Sequence, residues 1–467
     1  MNTEYQSAEI EPPLLKPQGR VLSTLEEDGS RRWMQPKLSP GPFFRRRRAV
    51  AYLLILVFTL LPFVKLNGTP LIRLDIVNRE FTVGFIRFLP TDTVLLALFM
   101  VSVFLTVVFL TAVWGRVWCG WACPQTVYME FVFRPIERIL DGTCGRGGAP
   151  KTAIQSWRIL MKYAIYFVVC FYLAHTFLAY FVGVDQLSEW IWRRAPWEHP
   201  LGFGVVALVT LAMMFDFCFF REQLCIIACP YGRFQSVLLD RRSWVVAYDK
   251  KRGEPRGKNK SSAPHGDCVD CKLCVTTCPT GIDIRDGLQL ECINCTQCID
   301  ACNAVMHKIG RKPNLIRYSS QANDADESRS TFRPRVILYP TILAVVVSAL
   351  IFNLATRSTF DAVALRGRGN PYQVSEAGLV RNTFELHLTN RIGESQWIEI
   401  EHVKPEFVHC ELGSPRLELA PNSDSREALL VAADHSKLNG KPVRVEVTLR
   451  GAEGKTTLVR CTLQGPP

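Results

Sequence analysis

Eight cysteines fall between residues 268 and 302, in two blocks that read "CVDCKLCVTTCP" from Cys268 and "CINCTQCIDAC" from Cys292. Both have the spacing Cys-x2-Cys-x2-Cys-x3-Cys, the bacterial arrangement for [4Fe–4S] clusters, in which the fourth cysteine of each block ligates the other cluster. Three thiolates on one short loop can grip three irons of a cubane. The fourth iron needs a ligand from another direction, and the repeat supplies one. The spacing therefore assigns Cys268, Cys271, Cys274 and Cys302 to cluster one, and Cys292, Cys295, Cys298 and Cys278 to cluster two. Zinc is the main competitor, but it usually takes paired Cys-x-x-Cys groups without a third cysteine at the same step. Disulfides need an oxidising compartment, which the topology below argues against. Pro279 follows Cys278 whereas Asn303 follows Cys302, so the two turns are expected to differ in shape.

Two further pairs share a second signature, "WCGWACPQT" with Cys119 and Cys123, and "LCIIACPYG" with Cys225 and Cys229. Residues four apart share one face of a continuing helix. Pro124 and Pro230, however, push the preceding cysteine out of helical geometry and donate no hydrogen bond, so each helix should bend or stop there. Aligning Cys119 with Cys225 also aligns Ala122 with Ala228 and Pro124 with Pro230, which implies an internal duplication. Four soft thiolates would select Cu(I), zinc or iron–sulfur chemistry. Small apolar packing is the ordinary alternative for such cysteines; duplication of the whole signature favours redox or metal work and leaves the metal open. Of the other five, Cys144 is in a loop, Cys170 and Cys218 lie in apolar runs where packing is the default, and Met214 and Cys218 share a helical face. Cys410 and Cys461 lie where a disulfide is permitted.

The elements that must position these thiols are mostly apolar blocks. In a chain of 467 residues that is 48% hydrophobic, five runs stand out, at 49–66, 93–113, 159–182, 201–220 and 336–355. Each is long enough for a hydrocarbon core about 30 Å thick, so five transmembrane helices are expected. The first lies too deep and is too long to be a cleaved signal. Lys and Arg mark the cytoplasmic side. Arg45 to Arg48 precede the first run, which places the N-terminus inside, residues 114–158 and 221–335 inside, and 67–92, 183–200 and 356–467 outside. Arg73, Arg79 and Arg87 run against this bias. Runs 93–113 and 201–220 then cross in the same direction, so both Cys-Pro signatures reach one inner mouth beside the cluster loop, as parallel repeats do.

The net charge of +12 concentrates in "KKRGEPRGKNK" at 250–260. Without interleaved aromatics and beside a membrane exit, it reads as topogenic charge near anionic headgroups and not as a nucleic-acid patch. "GTCGRGGA" at 142–149 lacks the strand and helix of a dinucleotide site and reads as a loop. Asp216 and Arg221 read as a local ion pair at a span end, and His175 as a packing histidine. After the last run, "TFELHLTNR", "QWIEIEHV", "PRLELA", "KPVRVEVTLRG" and "KTTLVRCTL" alternate apolar and polar residues between turns, the pattern of a small immunoglobulin-like β-sandwich. The plan is thus a mobile N-terminus (1–44), a four-helix membrane domain (45–245), a two-cluster ferredoxin domain with linkers (246–335), a fifth span (336–356) and the β-domain (357–467). The polar stretch at 318–333 reads as a second mobile segment.

Together, "GRVWCGWACPQT", the duplicated Cys-Pro signature, the two cluster blocks and "VMHKIGRKPNLIRYSS" resemble the cytochrome c oxidase accessory proteins called CcoG, also FixG or RdxA. The likeness runs from "FRRRRAV" to the β-domain. It implies a bacterial inner-membrane protein, N-terminus cytoplasmic and C-terminal domain periplasmic, that binds two [4Fe–4S] clusters and supports assembly of a cbb-type oxidase as a cupric reductase. It places ligand roles on the eight clustered cysteines and copper-reducing roles on Cys119, Cys123, Cys225 and Cys229. The partners implied are membrane lipid, oxidase assembly factors or a copper chaperone, and a cytoplasmic electron donor. Two alternatives remain open: a quinol-linked membrane ferredoxin subunit feeding a partner reductase, which is similar in its Cys-Pro signatures, and an assembly scaffold whose clusters are structural.

Overall fold

The computed structural model describes residues 22–466 apart from 27, 29, 67–68, 78–79, 85, 89–91, 194–195, 240–241, 258–264, 321–333, 367–369, 376–377, 392–393, 422, 439–440 and 453. Arg79, Arg241, the end of the basic run and most of the polar stretch at 318–333 lie outside the described residues. The chain divides into two compact units, Met1–Val347 and Ser348–Pro467.

Among the described residues four helices are long and apolar enough to cross a membrane: Thr93–Trp114, Ser156–Val182, Pro200–Phe220 and Val336–Ala355. The expected first span differs. Its helix is Pro42–Leu60, extended by a 3-10 turn at Leu61–Phe63, after which Lys65–Leu66 pairs as a strand with Thr69–Pro70. The four arginines do not precede this helix; they build its first two turns, which shortens the apolar part to residues 49–63. The reason is tertiary. Residue Asp300 of the helix Gln297–Lys308 accepts the free N–H groups of Phe43 (3.3 Å) and Phe44 (2.7 Å), so the helix starts against the cluster domain. The N-cap position itself, Gly41, offers no side-chain cap, and a Cβ there would collide with the Asp300 carboxylate. Replacing Asp300 by alanine should therefore cost about 1–2 kcal/mol, read as a lower unfolding temperature in detergent. Asp300→Asn should keep most of the stability, because asparagine also caps; equal loss in both variants would remove capping as the explanation.

Residues 22–41, expected to be mobile, are tied down instead. Lys37 N–H donates to the Thr276 carbonyl (2.8 Å), Thr277 Oγ1 to the Lys37 carbonyl (2.7 Å) and Thr24 Oγ1 to Gln223 Oε1 (3.2 Å). Arg31 stacks on Trp33 at 3.9 Å, and Met34 is buried. Leu38 adds packing against the cluster around Phe44 and Phe131. Residues 72–88, expected only as a loop, form a three-stranded antiparallel sheet of Ile72–Asp75, Glu80–Val83 and Ile86–Phe88.

The cluster region is a two-helix unit on a small sheet. Val245–Tyr248 pairs with Ile316–Ser319, and Val246, Ile282, Ile284, Ile299, Met306 and Ile316 form a core with the buried cysteines. The basic run beside it is partly consumed in this fold: Arg252 pairs with Asp267 (2.5 Å), and Arg256 with Glu254 (2.7 Å).

In the C-terminal unit the alternating segments form two antiparallel sheets. One runs Val408–Leu412, Asp424–Asp434, Leu379–Asn390, Phe360–Arg366; the other runs Leu417–Leu419, Gln396–Lys404, Val443–Gly451, Thr456–Leu463. Inward residues such as Leu386, Leu388, Ile398, Val431, Val447 and Leu463 are fully buried while their neighbours face outward, as sheet-on-sheet packing demands. Cys410 and Cys461 reach this core from opposite sheets and are free thiols.

Candidate metal centre

The duplication inferred from sequence is written in the backbone. The first apolar helix ends at Gly115 (φ 60°, ψ −135°) and the second at Arg221 (φ 52°, ψ −123°), each four residues before the first cysteine of its signature. In both repeats the second cysteine is extended, Cys123 at φ −60°, ψ 127° and Cys229 at φ −70°, ψ 110°, and the proline after it opens a new helix, Pro124–Tyr128 or Pro230–Leu238. A left-handed backbone costs a non-glycine residue about 1–3 kcal/mol. Arg221 is held there by a bidentate pair with Glu137, both contacts 3.0 Å. The local pair expected between Asp216 and Arg221 is not formed: the Asp216 carboxylate accepts from Gln125 Nε2 (3.2 Å) instead. The packing roles expected for Cys170, Cys218 and Met214 agree with the apolar cluster in which they lie, around Phe133 and Phe217.

The four Cys-Pro thiols are gathered into one electrostatic neighbourhood. Burial pushes the Cys119 thiol up to about 12, and the nearby Cys123 and Cys229 push the same way against Arg116. Burial likewise raises Cys225, which senses Cys123, Cys119 and Cys229. Cys119 Sγ donates to Gln235 Oε1 at 3.1 Å, and Tyr231 bonds Thr111 at 2.9 Å, which ties the two repeats together.

The clustered cysteines also repeat. Asp270 and Lys272 around Cys271, and Asn294 and Thr296 around Cys295, all take left-handed backbone, with φ between 50° and 61°. These turns wrap each loop back on itself before the helices Leu273–Thr276 and Gln297–Lys308 begin. Cys278, Cys292, Cys295 and Cys298 all line one small cavity, together with Cys274, Val246, Ile282, Ile284, Ile293, Thr280 and Thr296. Cys302 in turn senses the charges of Cys271 and Cys268. Cys278 thus shares a cavity with three thiols of the second block and with Cys274 of its own, and Cys302 senses two thiols of the first block. Among the described residues no three cysteine, histidine or carboxylate groups converge on a point suited to a single metal ion. Thiols spread around an apolar cavity fit a polynuclear cluster better than one zinc. Burial pushes Cys295 and Cys302 up to about 12 and Cys292 to about 11, so loading with iron must displace protons.

The two centres touch. A Cβ on Gly120, between the cysteines of the first signature, would lie 2.5 Å from the Ile293 carbonyl oxygen and 2.7 Å from that of Asn294. Only glycine lets the helix Val117–Trp121 pack directly on the loop of the second block. Trp121 Nε1 extends the seam by donating to the Tyr318 hydroxyl (3.2 Å).

Three regions match known families: residues 350–466 the "IG-like fold at C-terminal of FixG", 220–321 a "4Fe-4S dicluster domain" and 96–141 a "4Fe-4S binding domain". The chain is 31% identical over 430 residues to the nitrogen fixation protein FixG of Rhizobium meliloti, an alignment covering 82% of this chain and 80% of that protein. The chain belongs to the FixG/RdxA family. RdxA and RdxB of Cereibacter sphaeroides are 32% and 33% identical, each with 80% of its length covered. As a member of the FixG/RdxA family with two 4Fe-4S regions and four apolar helices, this is a membrane iron–sulfur electron-transfer protein.

Sequence reasoning missed the residues that join the two centres. Arg47 stands among four arginines of topogenic type, and nothing in its spacing marks Asp300. Arg116 carried the one available signal, a charge that closes an apolar run three residues before Cys119.

Proposed function

We propose that the eight clustered cysteines ligate two [4Fe–4S] clusters in the crossed pattern, and that the protein passes single electrons to Cu(II) at the Cys-Pro thiols. Such clusters exchange one electron at a time. The substrate is cupric ion, converted to Cu(I) by one electron; thiolate sulfur favours the reduced product. The contact between Gly120 and the Ile293–Asn294 backbone carries this reading, because it sets the thiol quartet directly beside one cluster site. Gln235 would hold Cys119 in place. The product would serve assembly of a cbb-type oxidase through its assembly factors or a copper chaperone. In this reading the N-terminus and cluster domain are cytoplasmic, a cytoplasmic donor supplies the electrons, and the β-domain is periplasmic, in a bacterial inner membrane. The helix Pro42–Leu60 with its following turn would be the fifth crossing.

Purified protein with chemically reduced clusters, mixed with Cu(II), should bleach at least about tenfold faster than its Cys119→Ala/Cys225→Ala variant, equivalent to about 1.4 kcal/mol in the barrier to electron transfer. Equal rates would take the thiols out of the reaction. Reduction of the clusters by a quinol would favour the quinol-linked reading instead.

A further inference from the structure

The two cluster sites, taken as ligated in the way just proposed, differ in whether their nearby arginines are ion-paired. At the site of Cys268, Cys271, Cys274 and Cys302, the thiol of Cys271 is exposed, Lys272 lies beside it, and the two nearby arginines are ion-paired. Arg285 pairs with both Asp283 and Asp270 at 2.6 Å, and Arg252 pairs with Asp267. At the site of Cys278, Cys292, Cys295 and Cys298, two arginines are buried and form no ion pair among the described residues. Arg116, 6% exposed, gives its hydrogen bonds to backbone carbonyls alone: Leu290, Cys292 (3.3 Å) and Gly232 (2.7 Å). Arg47 is completely buried, donates Nε to the Gly120 carbonyl (2.8 Å), lies over Phe131, and leaves both terminal nitrogens without a hydrogen-bond partner. Its charge reaches Cys295, and that of Arg116 reaches both Cys292 and Cys119. Glu130 and Asp300 feel the Arg47 charge through space but make their close contacts elsewhere, Glu130 with Arg134 and Gln297, and Asp300 with the backbone of Phe43 and Phe44. Besides its fellow thiol Cys278, Cys292 senses the opposing charge of Glu291.

Reduction adds a negative charge to a cluster, and an unpaired cation in a low-dielectric setting stabilises that charge far more than a paired one does. We propose that Arg47 and Arg116 make the inner site, that of Cys278, Cys292, Cys295 and Cys298, the more oxidising of the two. An electron delivered by a one-electron donor at the exposed site then moves inward: the exposed site is oxidised by one electron, the inner one is reduced by one, and the electron comes to rest beside Gly120 and Cys119. Arg47 and Arg116 are positioning residues in this scheme and touch no substrate.

The inference rests on the two-cluster reading, and potentiometric titration followed by electron paramagnetic resonance separates the two. Wild-type protein should give two midpoints. Arg116→Gln should shift the higher one downward and leave the lower in place, and Arg116→Lys, which keeps the charge, should restore most of the shift. The midpoint that moves should be the one missing from a Cys298→Ser variant. Arg47→Gln should act in the same direction if it folds; the Arg116 pair decides the matter without it. Two midpoints that do not move, or movement of the lower one, would overturn the inference while leaving the clusters intact. Iron and sulfide sufficient for fewer than two clusters in wild-type protein would overturn the two-cluster reading beneath it.

Discussion

Cys278→Ser should cost the protein about half of its iron and acid-labile sulfide, and the half lost should be that held by Cys292, Cys295 and Cys298. Cys278 belongs by sequence to the block that starts at Cys268, yet it opens onto the cavity lined by the second block. The double variant Cys278→Ser/Cys298→Ser should therefore lose no more than either single variant, while Cys278→Ser/Cys302→Ser should lose nearly everything. Iron and sulfide analysis of anaerobically purified protein distinguishes these outcomes. If Cys278→Ser instead pairs non-additively with Cys268→Ser, each block closes its own cluster and the crossed arrangement is wrong.

The second large effect is expected at Arg134. Its guanidinium is almost wholly buried, paired with Glu130 and with Glu222 at 3.6 Å, and it donates to the Pro279 carbonyl at 3.5 Å. Glu130 in turn accepts from Gln297 at 3.2 Å. Arg134 thus joins the segment after the first Cys-Pro signature to both cluster blocks. Arg134→Met would leave two buried carboxylates without this partner, and removing one member of a buried pair typically costs about 3–5 kcal/mol. Against a usual stability of about 5–15 kcal/mol, that is a large loss, visible in denaturant unfolding in detergent. The double variant Glu130→Gln/Arg134→Met should recover part of it, since neighbours in one network are not additive. A loss below about 1 kcal/mol for Arg134→Met would mean the network is solvated and contributes little.

These outcomes bear on how far the sequence could be read. The eight cluster cysteines were legible because their chemistry requires short covalent spacing. The Cys-Pro duplication was legible from the repeated signature, although its deepest mark was masked: Gly115 and Arg221 share one unusual backbone conformation but are as unlike as two residues can be. The β-domain showed through its alternation, with Leu386 and Leu388 inward and their neighbours outward. What failed was partnership across distance. Arg221 was matched with the carboxylate five residues away, whereas its partner Glu137 is 84 residues off. Arg47 was counted as one topogenic charge among four, because nothing local distinguishes it from Arg46 or Arg48; only the fold brings it to Gly120, 73 residues on. The first apolar run was overestimated for the same reason, since its arginines belong to the helix and its start is set by a distant carboxylate.

The capping of the helix Pro42–Leu60 by Asp300 has a consequence for biosynthesis. Phe44 and Asp300 are 256 residues apart, and at about 5–20 residues per second the ribosome needs about 13–50 s to make the intervening chain. Throughout that interval the start of the first helix has no cap and must be kept from fraying or misdocking by other means. The first long helix of the nascent chain is thus capped only after the helix Gln297–Lys308 emerges.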